Sequence, residues 1–201
     1  MPPRLTGLTI GGTPAPWDEL GFAVDDDGFE VGEVRIAFDP DAPAGFSGWS
    51  WDTLDEAELD GIATTTEPAP AAGPAHPNGV VGLDHVVVAS PDLDRTRAAF
   101  DAAGLDFRRE RAAGQLRQAF YVAGPLLVEV AGPASDPDGI GPARLWGVTA
   151  VAADLDALAA RLGNRLGDPG DAVQPGRRIA TLRREAGLGV PLAFMTPRVR
   201  S

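Results

Sequence analysis

Cysteine and lysine are both missing from this 201-residue chain. Without thiols there can be no disulfides, no thiolate metal ligands and no cysteine nucleophile. Without lysine there is no Schiff-base chemistry, and all 17 basic residues are arginine, which reads most simply as GC-rich coding. No stretch approaches the roughly 20 apolar residues of a membrane span, and Met-Pro-Pro-Arg opens no apolar signal segment. The expected location is therefore the cytoplasm. A G-x-S-x-G elbow is absent, and Gly11-Gly12-Thr13-Pro14 lacks the ending of a phosphate loop.

What is present is a globular composition, 44% hydrophobic and 23% charged, with 25 glycines and 19 prolines as punctuation. The net charge of -12 is uneven: residues 1–80 hold two Arg against 15 acids, and the remainder 15 Arg against 14. So acidic a surface disfavours nucleic acid and anionic membranes as partners. Residues 64–79, TTTEPAPAAGPAHPNG, lose all apolar periodicity and read as a semi-extended linker, with His76 solvated. The domain organisation expected is an acidic, β-rich module over 1–66, a linker over 67–79, and paired modules over 80–201.

In that last part, a β-branched strand over 80–89 precedes a helix capped by Ser90 or Asp92 and ended by Gly104. Strands over 105–111, 115–122 and 126–131 follow, giving β-α-β-β-β over 80–132. The same order recurs over 143–197, with strand 145–151, helix 154–162 and strands 172–174, 178–183 and 190–195. The offset between Asp92-Leu93-Asp94 and Asp154-Leu155-Asp156 is 62 residues. One module cannot bury its sheet face alone, so a repeat implies pairing. A third, degenerate copy is expected at the N-terminus, with strands 5–10, 22–24, 31–38 and 45–51 around a helical turn at Trp17. An odd count leaves one module to cap the others or to pair across a homodimer.

Tandem β-α-β-β-β units, with His85 in the first strand of one and Glu129 in its last, resemble the glyoxalase, bleomycin-resistance and extradiol-dioxygenase superfamily, also called vicinal oxygen chelate proteins. The resemblance implies an α+β fold: a U-shaped, incompletely closed mixed β-barrel with helices outside, holding a small-molecule ligand or substrate. It also implies a divalent metal (Fe, Mn, Zn or Ni) on His85 and Glu129, which then act as catalytic residues in lyase, isomerase or dioxygenase chemistry. The second module departs from the pattern. The offset puts Gly147 at the second His position, and laying Leu192-Ala193-Phe194 on Leu127-Val128-Glu129 puts Phe194 at the second carboxylate. Two protein ligands fall short of the usual three.

Several readings therefore stay open. His85 is a metal ligand, a metal-free acid-base group, or a core histidine satisfied by its neighbours. Glu129, set among Leu127, Val128 and Val130, needs a partner if it is buried. Gln118, Trp146, Gln174 and Arg178 are candidate ligand-binding residues on strands or turns lining the cup. The protein is then a metal-dependent enzyme, a metal-free binding protein like the drug-sequestering branch of that superfamily, or an interaction partner using its acidic third.

Overall fold

Turn residues and β-branched runs divide the chain into two curved sheets, and a computed structural model describes residues 1–134 and 140–198. The first sheet holds β1 (Leu5–Gly11), β2 (Gly28–Val31), β3 (Val34–Asp39), β4 (Gly45–Trp51), β5 (Glu58–Leu59) and β6 (Ile62–Thr66), in the order β2-β3-β1-β4-β6-β5. A short helix, α1 (Ala15–Glu19), follows β1. The second sheet begins with β7 (Val80–Ala89), helix α2 (Leu93–Ala102), β8 (Asp106–Ala113), β9 (Leu116–Ala123) and β10 (Leu126–Pro133). It continues with β11 (Arg144–Ala152), helix α3 (Leu155–Leu162), β12 (Gly170–Asp171), β13 (Arg178–Thr181) and β14 (Leu192–Met195).

The eight strands run β12-β13-β14-β11-β7-β10-β9-β8. Each module sets its first strand parallel to its last, β7 with β10 and β11 with β14, and the modules join antiparallel through β7 and β11. The order leaves β8 and β12 at its two ends, so the sheet stays open rather than closing into a barrel. Helices α2 and α3 start where expected: Asp92 accepts from the Arg95 amide and Asp154 from those of Asp156 and Ala157, caps worth about 1 kcal/mol each. The expected strand over 172–174 forms instead as the two-residue β12, because Pro175-Gly176 turn the chain just beyond it.

The N-terminal part departs more from expectation. Between α1 and β2 no strand forms over 22–24; Phe22 goes instead into the core beside Trp17 and Phe29. Strand β3 lies parallel to β1, the place expected of a module's last strand. Strand β4 is antiparallel to β1, as β11 is to β7, and β6 is parallel to β4, as β14 is to β11. The segment from β4 to β6 thus repeats the strand pairings of β11 and β14 without a helix between them, and β1 pairs with it inside the chain.

One apolar core joins the two sheets. Residues on alternate positions of the second sheet (Val86, Val88, Val128, Val130, Phe194) share it with Leu8, Ile36, Trp49 and Phe100. Trp49 of β4 meets Phe100 of α2 at 5.8 Å, and Phe22 stacks with Phe194 at 6.4 Å. His76 is not solvated: it is 7% exposed, accepts from the Ala23 amide at Nδ1 (3.1 Å) and bonds the Glu30 carbonyl through Nε2 (2.9 Å). The linker is thereby tied to the first sheet. No helix among the described residues is long and apolar enough to cross a membrane.

Candidate functional site

Strand alternation puts one set of β7 and β10 residues into the core and leaves the other on the opposite, concave face. Register places Leu127 beside His85, Glu129 beside Val87 and Ala131 beside Ala89, all six half-buried on that face. Gln118 of β9 pairs with Ala131, and Arg144 of β11 with Ala89. A cavity of about 580 Å³ results, walled by Val87, Leu116, Ala131, Pro133 and Trp146, with Gln118, Glu129 and Arg144 as its charged or amide groups.

A chain of polar contacts runs beneath and along this face. Buried Arg177 donates to Asp84 at 2.7 Å and to the Thr196 carbonyl at 2.9 and 2.6 Å. The other Asp84 oxygen lies 2.9 Å from Nδ1 of His85, and since an ionised carboxylate only accepts, Nδ1 carries the proton. In the neutral ring Nε2 then accepts from the Thr149 hydroxyl, 3.1 Å away on β11. Burial works to raise the Asp84 carboxyl, but hydrogen bonds and charge from His85 and Arg177 outweigh it and hold the group at about 2. Beyond His85, the Glu129 carboxylate stands 4.0 Å from Nε2 and accepts a short hydrogen bond from the Gln118 amide. Arg111 donates to Gln118 Oε1 at 2.7 Å, which turns the amide NH2 toward Glu129.

His85 and Glu129 are thus brought together, and of the two it is Glu129 that lines the cavity. This donor set does not fit the divalent metal that the resemblance implied. Both imidazole nitrogens are engaged by protein groups, and the Gln118 oxygen is taken by Arg111. No group of three or more His, Cys, Asp or Glu among the described residues is arranged to hold an ion. A lone imidazole-carboxylate pair falls below the three protein ligands of a usual catalytic site.

Of the other expected site residues, Gln118 and Trp146 line the cavity. Arg178 does not: it lies on the outer side, paired with Asp156 of α3 at 2.8 Å. Gln174 occupies the turn whose carbonyl accepts from the Arg177 amide, away from the cavity lining. Phe194 also moves. Thr149 pairs with Ala193 and Ala150 with Phe194, so Ala193 holds the concave position equivalent to Glu129 while Phe194, fully buried, points into the core. Gly147 keeps its expected place, where a Cβ would press on Pro191 at 3.2 Å.

Thr149, Asp84, Arg111 and Arg144 were missed. Period-two alternation from Gly147 already put Thr149 on the site's face, and Asp84 adjoins His85 in sequence. Nothing local pointed from Asp84 to Arg177, 93 residues away.

The strand pairings define the class as the paired-module α+β fold that the sequence resemblance implied. No protein-family model matches the chain, and no curated protein does. Among solved structures it is similar to a methylmalonyl-CoA epimerase from Mycobacterium tuberculosis (22% identity, TM-score 0.49, covering 60% of this chain and 91% of that one). It is also similar to a variant of the Streptomyces coelicolor methylmalonyl-CoA epimerase in complex with 2-nitronate-propionyl-CoA (22% identity, TM-score 0.47, 58% and 97% covered). A third is a hypothetical protein from Bacillus halodurans C-125 (15% identity, TM-score 0.48, 59% and 96% covered).

Proposed function

We propose that this protein is a metal-free binder of a small organic molecule, held in the concave cleft between its two C-terminal modules. One observation carries the reading: His85 has both nitrogens occupied by Asp84 and Thr149, which leaves Glu129 as the carboxylate of a mostly apolar cavity. Apolar walls with a few placed polar groups are what small-molecule pockets present. Trp146, 52% exposed, supplies a stacking surface. The roles of this site are then to bind and orient: Gln118 and Arg111 fix the Glu129 carboxylate, and His85 stands 4.0 Å from it.

A second reading draws on Glu129 itself, whose side chain is only 14% exposed. A fixed, half-buried carboxylate beside an apolar cavity is equipped to take a proton from a bound carbon acid, which is the lyase or isomerase alternative without a metal.

Trp146 fluorescence is the test. Titration with a library of small organic acids and neutral aromatics should yield saturable quenching that Trp146→Phe abolishes. Stoichiometric Fe, Mn, Zn or Ni in protein purified without chelator would overturn the metal-free reading. Solvent deuterium entering a bound ligand, lost in Glu129→Gln, would select the second.

A further inference from the structure

Acids outnumber arginines 29 to 17 in this chain, and Arg144 is the cation among the residues lining the cleft. Several arginines of the C-terminal half are engaged, Arg97 and Arg117 with Glu110, Arg177 with Asp84, Arg178 with Asp156 and Arg111 with Gln118, whereas the side chains of others, such as Arg108, Arg183 and Arg184, are not so engaged among the described residues; of all of them only Arg144 lines the cleft. Arg144 is exposed, makes no hydrogen bond or ion pair with a described residue, and lines the cleft two residues before Trp146 on β11. A guanidinium offers donors alone, in a planar fork matched to carboxylate, sulfonate or phosphate oxygens. Glu129 is the converse, an acceptor whose sidedness is fixed by Gln118. Along β7, Arg144 pairs with Ala89 and Glu129 with Val87, one strand to either side. Strand spacing and rise then put their Cα atoms about 12 Å apart, within the reach of a one- or two-ring molecule once the side chains extend inward.

We infer that the cleft selects an amphipathic organic anion: its acidic group on Arg144, its apolar body against Trp146, Val87 and Ala131, and a hydrogen-bond donor facing Glu129. This rests on the binding role proposed above and gives the ligand its chemical class. Neither the apolar wall nor the carboxylate would favour an anion alone; the free guanidinium at the mouth reverses that preference.

The probes are 8-anilinonaphthalene-1-sulfonate and N-phenyl-1-naphthylamine, the same rings and N–H without the sulfonate. Arg144→Gln should weaken the sulfonate by about tenfold and leave the neutral probe within about twofold, the size of one charge-assisted contact. Arg144→Lys should recover part of the loss. Equal changes for both probes, or none for the sulfonate, would overturn the anion preference while leaving the cleft as a binding site. Ala131→Phe and Leu116→Trp fill the cleft from two walls, the second at an exposed position, and either should abolish both probes. If both probes still bind to folded forms of these variants, the cleft is not the site, and the binding role falls together with this inference.

Discussion

His85 and Thr149 face each other across the seam between the two modules, imidazole Nε2 3.1 Å from the threonine hydroxyl, at the register step where β7 and β11 pair directly. The second module therefore contributes to the site with a hydroxyl rather than a metal ligand, and that hydroxyl occupies the lone pair a metal would need. Thr149→Val, which keeps the shape and removes the hydroxyl, should free Nε2 and destabilise the protein by about 1 kcal/mol, the usual net worth of such a bond. Chemical denaturation measures it; no change in midpoint would mean that the bond is not formed in solution.

Asp84 provides a sharper pH test. Its folded carboxyl sits at about 2 against an ordinary 3.8, so the unfolded chain takes up the proton first. The contribution is fully present above pH 3.8 and is lost as pH falls toward 2, amounting to about 2 kcal/mol. Asp84→Asn should flatten this part of the stability profile. At pH 7 it should also cost about 3 kcal/mol by stranding buried Arg177 without its counter-charge.

His76 works with the opposite charge type. Burial lowers its affinity for a proton below the ordinary value of 6.5, and its Nδ1 must stay unprotonated to accept from Ala23. Stability should therefore be complete above pH 6.5 and decline as the pH falls through that value, because the unfolded imidazole protonates more readily. Urea midpoints between pH 7.5 and 5.5, compared with His76→Gln, would show the slope disappear in the variant.

The register of β14 can be tested by moving one charge. Ala193→Glu, on the half-buried concave face, should fold with a loss under about 1.5 kcal/mol. Phe194→Glu, one residue on, buries a carboxylate among core aromatics and should abolish cooperative unfolding. Comparable stabilities for the two variants would contradict the pairing of Ala193 with Thr149.

Trp146 is the exposed tryptophan; Trp17, Trp49 and Trp51 are 3% exposed or less. Iodide quenching should therefore report almost entirely on Trp146 and fall by more than half in Trp146→Phe.

The C-terminal modules were legible because their signals are local and repeated: β-branched runs for β7 and β10, Asx caps at Asp92 and Asp154, glycine turns between strands. His85 and Glu129 could be placed on one face from strand alternation and their module positions. Legibility failed where pairing depends on partners remote in sequence. Nothing local in Gly45–Trp51 distinguishes the last strand of one module from the first strand of the next, and only its antiparallel match to β1 decides it. A slip of one residue turned Phe194 from core to cleft on paper, since side chains alternate with a period of two. His76 misled because its linker composition hid a docking site among Phe22 and Phe29.

The two faces of β7 answer to different demands. Val86 and Val88 are wholly buried against the shared core, whereas Val87 and Ala89 border the cleft. Changes on the open side remove little packing, so the recognition surface can drift toward new ligands while the folded scaffold persists. A lineage of such chains would keep its inward valines and diversify at every second residue between them.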